Sequence, residues 1–284
     1  METTLTIETI LLALGLTLLA GMSTAIGSLM AFFTRATNTR FLSGALGLSA
    51  GVMIYVSFME MIPEALANLK SVYAEDTATI YMLIAFFGGM GLIALIDFLI
   101  PSDENPHEFH HIEEIGLKSD KLKRTGFMLA LAIGIHNFPE GMATFVAALD
   151  GFDVAIPIVI AIAIHNIPEG IAVSVPIYHS TGNRRKALTY SIWTGLAEPI
   201  GALFGMAFLL PFWTPVVSAL LLAAVSGIMV FISLDELLPG AEEYGHHHFS
   251  IGGVILGMMI MAASLLILLQ LVSVNKSLTK IHYK

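Results

Sequence analysis

The chain has 284 residues, of which 56% are hydrophobic and only 12% are charged, and its formal net charge at pH 7 is −9. Soluble domains carry about 25% charged residues, so this composition excludes an ordinary soluble protein and indicates a polytopic membrane protein. The sequence contains no cysteine, which excludes disulfides, thiolate metal ligands and cysteine nucleophiles.

Eight apolar segments predict an all-α fold, with eight transmembrane helices in one membrane domain covering residues 1–284. Each is about 20 residues or longer, enough to cross a hydrocarbon core about 30 Å thick. The first basic residue is Arg35, so helix 1 lacks the basic flank of a secretory signal and we expect it to be retained. Numbered in chain order, the predicted helices cover 7–33, 42–69, 78–100, 126–149, 152–178, 187–210, 213–239 and 250–274.

The basic residues predict the orientation of these helices in the membrane. Nine of the thirteen lie between helices 1 and 2, 3 and 4, or 5 and 6, which are on one face of an eight-helix topology. Basic loops stay in the cytoplasm, so this distribution places both termini outside. The nine are Arg35, Arg40, Lys118, Lys121, Lys123, Arg124, Arg184, Arg185 and Lys186.

Helix 2 carries polar residues at helical spacing. Met53 and Ser57 lie one turn apart near its middle, and Glu60 and Glu64 lie one turn apart toward its outer end. The two carboxylates are candidates for an outer mouth that attracts cations, although for Glu64 an ordinary interfacial charge is an equally good interpretation. Met53, Ser57 and Glu60 are therefore secondary candidates for metal contact.

Residues 101–125, between helices 3 and 4, form a predicted cytoplasmic loop that is rich in histidine. Its EFHHIEE tract at 108–114 and the GHHHF tract at 245–249, between helices 7 and 8, lie on the same predicted face. Histidine-rich tracts bind metals weakly. Two interpretations of the loop stay open: a solvated connection, or a relay or sensor for metal.

Helices 4 and 5 carry two copies of one motif, HNFPEGMATF from His136 and HNIPEGIAVS from His165, which match at six of ten positions. On a helix, the His, Asn and Glu of each copy fall on one stripe. An ionised side chain at mid-membrane costs about 2.5–3.5 kcal/mol, so such residues are rare without a partner or a function. The repeated His, Asn and Glu make a metal pathway the leading interpretation; two ordinary kinked helices whose polar groups satisfy one another are the alternative.

A proline sits inside each motif. Pro139 and Pro168 have no N–H for the carbonyl four residues earlier and press against it, so each should kink its helix and free a carbonyl oxygen. The glycines that follow, Gly141 and Gly170, should let another helix approach closely. In lipid, the freed oxygen must be satisfied by a neighbour, a water or an ion.

Helices 4 and 5 are joined only by Asp150 and Gly151, which makes them antiparallel neighbours with their motifs facing each other near the midplane. Such inverted symmetry around broken helices is typical of transporters. Helix 6 adds Glu198 next to Pro199, again near mid-span. Helix 7 ends SLDELLPG, where Glu236 is a candidate inner gate group, although an interfacial cap is equally plausible.

The sequences HNFPEG and HNIPEG, together with Glu198, resemble the ZIP family of divalent-metal transporters, and within it the bacterial ZupT-type zinc transporters. The resemblance covers nearly the whole chain. It implies a single transporter domain in the bacterial inner membrane, uptake into the cytoplasm, a homodimer, no cofactor and no nucleic-acid partner. It also implies a two-metal site between helices 4, 5 and 6.

The resemblance assigns ligands position by position. One metal would be held by Glu140, His165 and Glu169, with His136 nearby. The second would be held by Asn137, Glu140, Asn166, Glu169 and Glu198. Some family members have an acid where Asn166 stands, so the second position is less negative here.

Imidazole and carboxylate ligands suit Zn²⁺ and also Fe²⁺, Mn²⁺, Co²⁺ and Cd²⁺, so residue types alone leave the preferred metal open. A metal-selective channel or a metal sensor of the same architecture remains an alternative to a carrier. A remote alternative is an intramembrane metallohydrolase. That chemistry uses His-Glu-x-x-His on one helix, whereas the two membrane motifs pair His with Glu four residues on. We therefore expect a protein that is not an enzyme.

Overall fold

The computed structural model describes residues 6–31, 39–99, 119–150, 152–209, 212 and 214–282. Helices account for nearly all of these residues, and no strand occurs among them. They form eight helical segments, α1 to α8, which follow the order predicted from the sequence. The predicted all-α fold is confirmed.

Four of the segments are single helices: α1 is Ile7–Ala31, α3 is Glu75–Leu99, α5 is Phe152–Thr181 and α8 is His247–His282. A fifth, α4, is Ser119–Asp150 and begins seven residues before the predicted span. The other three contain irregularities: α2 joins Thr39–Val56, Ser57–Met61 and Ile62–Lys70; α6 joins Arg184–Gly195 and Ala197–Leu209; α7 joins Pro215–Ile232, Ser233–Leu237 and Leu238–Glu243.

Prolines explain these irregularities. Pro199 cannot donate to Gly195, four residues earlier, and α6 is interrupted at Leu196 between them. In α2 and α7, a π-helical turn stands just before Pro63 and Pro239, and it contains the residue whose carbonyl each proline would crowd. By contrast, α4 and α5 continue through the prolines of their motifs. The kinks expected there stay a prediction.

Six helices among the described residues are long and apolar enough to cross a membrane: Ile7–Leu29, Thr39–Lys70, Glu75–Phe98, Ala155–Val175, Pro215–Glu242 and His247–Ile267. They belong to α1, α2, α3, α5, α7 and α8. The interruption at Leu196 leaves two short pieces in α6, and the polar residues of the first motif lie in the middle of α4. The structure thus supports a multi-pass membrane protein, while the count of eight spans stays a prediction.

Glycines set the closest helix contacts. A Cβ on Gly141 of α4 would strike the backbone of Glu198 in α6, and a Cβ on Gly170 of α5 would strike the backbone of Thr24 in α1. The other extensive pairings are α4 with α5, α2 with α8 and α3 with α7. As a result α4 and α5 lie inside the bundle, surrounded by α1, α2, α6 and α7.

One end of the bundle carries a small apolar cluster where α2 begins and where α5 and α7 end. Nearby, Thr39 Oγ1 lies 2.9 Å from His246 Nε2, which joins the start of α2 to the α7–α8 connection. Helices that alternate in direction bring the start of α2 to the same end of the bundle as the ends of α5 and α7. The cluster consists of Leu42, Ile171 and Val175, with Phe41 and Tyr244 packed against it.

Candidate metal centre

Six polar residues from α4, α5 and α6 are buried in the middle of the bundle, each no more than 1% exposed. Because α4 ends at Asp150 and α5 begins at Phe152, the two motifs lie on adjacent helices in extensive contact. The contact between Gly141 and the Glu198 backbone brings α6 against the first motif. The six residues are Asn137, Glu140, His165, Asn166, Glu169 and Glu198.

Direct contacts connect the three helices at this level. The Nε2 atom of His165 lies 3.3 Å from Glu140 Oε2, which links α5 to α4. The amide of Asn166 donates to Glu198 Oε1, which links α5 to α6. Glu198 also lies within electrostatic range of the carboxylates of Glu140 and Glu169. Three buried carboxylates thus share one region of low dielectric constant, where a cation would relieve their mutual repulsion.

Backbone oxygens hold the amide groups of both asparagines. The Nδ2 atom of Asn137 donates to the Thr194 carbonyl at 3.3 Å, and that of Asn166 donates to the Ala20 carbonyl at 3.1 Å. With each –NH₂ group engaged, each amide oxygen is left to accept a proton donor or to bind a cation. Thr194 and Ala20 lie in α6 and α1, so both helices position asparagine side chains of the motifs.

Four buried oxygens of this cluster have no hydrogen-bond partner within the described residues. Buried polar atoms are nearly always satisfied, so an unpaired one calls for an explanation such as an ion. All four belong to residue types that bind divalent cations through oxygen. They are Asn137 Oδ1, Glu140 Oε1, Asn166 Oδ1 and Glu198 Oε2.

The predicted site residues did not include Ser49 of α2, which contacts this centre directly. Its hydroxyl lies 3.2 Å from Glu169 Oε1 and 3.3 Å from the carbonyl oxygen of His165. Met53 and Ser57 follow at four-residue spacing on the same face of α2, and both are fully buried. That serine–methionine–serine spacing is the signal that could have identified Ser49.

Across the described part of the chain, no three side chains of His, Asp or Glu already converge on one point. Instead, Glu140 is engaged with His165, Glu198 with Asn166 and Glu169 with Ser49. Each of these contacts engages one oxygen of its carboxylate: Oε2 of Glu140, Oε1 of Glu198 and Oε1 of Glu169.

Two of the remaining candidates, Glu60 and Glu236, lie in π-helical turns. Glu60 is half-buried in the π-helical turn of α2, and Glu236 is buried in the corresponding turn of α7. These turns share the pattern Ser-x-x-Glu-x-x-Pro, which begins at Ser57 in α2 and at Ser233 in α7. The serine, glutamate and proline of each copy therefore occupy equivalent positions in α2 and α7.

Several predicted histidines lie outside the described residues or have only part of their structure described. His136 is in α4, but its side chain is not among those described, and neither is the tract at 108–114. The letters HEFHH at 107–111 also match His-Glu-x-x-His, and they too lie outside the described residues. In the second tract, His247 Nδ1 lies 2.8 Å from Glu242 Oε2.

Comparison with known proteins gives a consistent result. Residues 100–265 match the family model described as ZIP Zinc transporter. Three bacterial proteins named Zinc transporter ZupT are similar to this chain. The protein from Streptococcus mutans is 61% identical over 252 residues, which cover 89% of this chain and 96% of the relative. Those from Nitratidesulfovibrio vulgaris and Akkermansia muciniphila are 57% and 53% identical, each over 92% of this chain and at least 98% of the relative.

Proposed function

The chain belongs to the ZIP family of zinc transporters, and on that premise we propose that it takes up Zn²⁺ into the cytoplasm. The metal is substrate here, and no resident cofactor is needed. The buried centre between α4, α5 and α6 is the proposed binding site along the pathway. The observation that supports this site is the set of four buried side-chain oxygens that lack a hydrogen-bond partner within the described residues.

The proposed site holds two metal positions that share glutamates. The first uses His165 on α5 with Glu140 and Glu169, with His136 of the first motif nearby. The contact between His165 Nε2 and Glu140 Oε2 supports this grouping, because a small separation of the two atoms would admit a cation between them.

The second position uses Glu198 and the oxygens of the two asparagines, with Glu140 and Glu169 bridging to the first. Burial of all these groups, with the amide nitrogens of Asn137 and Asn166 held by backbone carbonyls, supports this assignment. Shared carboxylates offset the charge of two divalent ions without the tight retention of a thiolate cage.

The proposal extends to the setting of the site. The protein is a multi-pass component of the bacterial inner membrane with both termini outside, and it acts as a homodimer. Met53, Ser57 and Glu60 in α2 and Glu236 in α7 are proposed to line the approaches to the centre. Fe²⁺, Mn²⁺, Co²⁺ and Cd²⁺ are proposed as further substrates, since N and O ligands accept all of them.

Uptake into proteoliposomes tests this function. Vesicles containing the purified protein and a zinc-sensitive dye should fill with Zn²⁺ faster than protein-free vesicles. The same vesicles, assayed with Fe²⁺, should take it up as well. No uptake of any divalent metal by a protein that is monodisperse before reconstitution would contradict the proposed function.

The same assay tests the division of labour between ligands. Imidazole binds Zn²⁺ more strongly than an amide oxygen does, whereas the amide suits harder ions such as Fe²⁺. His165→Ala should therefore reduce zinc uptake more than iron uptake. Loss of a residue that only hydrogen-bonds a metal ligand already lowers metal affinity or activity about 10–100-fold. Loss of the ligand His165 itself should lower zinc uptake by at least that factor.

Asn166→Asp is the complementary change, since it adds negative charge while keeping the side-chain shape. It should tighten metal binding and slow release, and so lower the concentration of metal at half-maximal uptake. If His165→Ala and Asn166→Asp each scale zinc and iron uptake by the same factor, the two positions do not differ as proposed.

A further inference from the structure

A large cavity lies between α3, α4, α6 and α7, beside the candidate metal centre. Its volume is about 1180 Å³, and its walls on α3, α4 and α7 consist entirely of apolar side chains and glycine, such as Gly88, Ile96, Gly134 and Leu221. All of its polar side chains come from α6. The cavity is therefore apolar on three sides and polar on one.

That polar side leads to a group of basic residues. Thr189, Tyr190 and Trp193 line the cavity, and α6 begins only five residues earlier, at Arg184. Residues four apart share a helix face, so Arg185 lies one turn before Thr189 and Lys186 one turn before Tyr190. Arg185 is exposed and Lys186 half-buried. A continuous stripe thus runs from positive charge through aromatic rings into the apolar space.

The wall of the cavity on α6 lies at the surface of the bundle. Trp193 is 66% exposed although it lines the cavity, so the wall on α6 faces lipid. Tryptophan and tyrosine favour the headgroup level of a bilayer. On α3 the lining reaches Ile96, three residues before that helix ends at Leu99. Because successive helices alternate in direction, α3 ends on the side where α6 begins.

From this arrangement we infer that the cavity binds an anionic phospholipid of the leaflet next to the start of α6. The headgroup phosphate contacts Arg185 and Lys186, and an acyl chain fills the apolar space between α3, α4 and α7. Charge complementarity favours an anionic lipid over a neutral one, since basic pockets between transmembrane helices attract anionic headgroups. Burial of each methylene group adds to the binding of the chain.

The cavity reaches the metal centre. Pro139 of the first motif and Thr194 both line it, and the Thr194 carbonyl accepts the hydrogen bond from Asn137. An acyl chain there packs against the helix segment that holds Asn137 and Glu140. Bound lipid therefore supports the arrangement of the first motif from its outer side.

Native mass spectrometry of the full-length protein, without metal, tests lipid binding independently of transport. The probes are palmitoyl-oleoyl phosphatidylglycerol and the phosphatidylcholine with the same chains. Each basic residue at an anionic surface raises affinity about fivefold. With two such residues, phosphatidylglycerol should be retained about 25-fold better than phosphatidylcholine. Arg185→Gln/Lys186→Gln should reduce that preference to within about twofold, whereas Lys70→Gln, a basic residue beside Glu75 at the other end, should leave it unchanged.

A second pair of variants tests the apolar space. A Cβ at Gly88 or at Gly91 would meet no atom within 4 Å, and only Gly88 lines the cavity. Gly88→Phe should lower retention of both lipids, by about fourfold for each methylene group displaced. Gly91→Phe, on the same helix, should not.

Equal retention of the two lipids by the wild type would overturn the inference. So would an unchanged preference for phosphatidylglycerol in Arg185→Gln/Lys186→Gln, or equal lipid retention by Gly88→Phe and Gly91→Phe. Loss of a dimer in Gly88→Phe alone would also overturn it, because the cavity would then be an interface between two copies of the chain.

Discussion

Replacing Glu140 or Glu169 with glutamine should reduce zinc uptake by at least about 100-fold, because each is proposed to hold both metal ions. The substitution keeps side-chain volume and removes one negative charge. Glu198 lies within electrostatic range of the carboxylates of Glu140 and Glu169. Removing either of these negative charges therefore reduces the repulsion among the three groups in the absence of metal. Glu140→Gln and Glu169→Gln should therefore fold at least as well as the wild type while failing to transport.

This combination separates the metal site from the alternative of two polar helices that merely satisfy each other. If the glutamates were structural partners only, glutamine would preserve most of their contacts and uptake would continue. The matched control is Glu8→Gln, an exposed glutamate in the first turn of α1. Near-normal uptake by a well-expressed Glu140→Gln or Glu169→Gln protein would show that the glutamates are not ligands.

Gly141→Val should destabilise the protein and abolish uptake together. A Cβ at this position would fall on the carbonyl oxygen, carbonyl carbon and Cα of Glu198, which are backbone atoms and cannot rotate away. Overpacking of this kind costs about 1–3 kcal/mol or more and would force α6 away from α4. The displacement would also withdraw the Glu198 carboxylate from the metal centre.

Thermal unfolding in detergent, followed with zinc uptake, measures both effects. Gly91→Val is the control, because a Cβ at Gly91 would meet no atom within 4 Å. The substitution changes helix propensity by the same amount as Gly141→Val does. We expect a lower Tm and no uptake for Gly141→Val, and near-wild-type values for Gly91→Val. Equal Tm and uptake in the two variants would mean that α4 and α6 are not in contact at Gly141.

The paired motifs allowed much of the centre to be predicted from sequence. Their His, Asn and Glu spacing required one face on each helix, and the short connection at Asp150 required adjacent helices; the structure places the two helices in extensive contact and buries every described polar side chain of the two motifs. Helical spacing depends on an unbroken α-helix, which holds through α4 and α5. The expected adjacency and burial of the motifs are observed where that condition is met, whereas the metal-binding roles of their residues stay predictions.

Prediction was weaker where the helix is irregular or where a neighbour decides the contact. The π-helical turn at Ser57–Met61 changes the angular spacing in α2, so the face occupied by Glu60 did not follow from four-residue periodicity. Ser49 shares its helical spacing with Met53 and Ser57, but its contact with Glu169 depends on the packing of α2 against α5. The break in α6 falls at Leu196 because of Pro199, an effect of proline on the residue four positions earlier.

An anomalous-scattering map recorded at the zinc absorption edge, from crystals grown with Zn²⁺, tests the two-metal site most directly. If two metal ions bind as proposed, the map should show two peaks between α4, α5 and α6, about 3.5–4 Å apart as in other two-metal sites. One should lie about 2.0–2.2 Å from His165 and from Glu140 and Glu169, and the other should lie next to Glu198 and the asparagine oxygens. Zinc peaks found only at the exposed histidines of the 245–249 tract, with none among the buried carboxylates of a transport-competent protein, would contradict it.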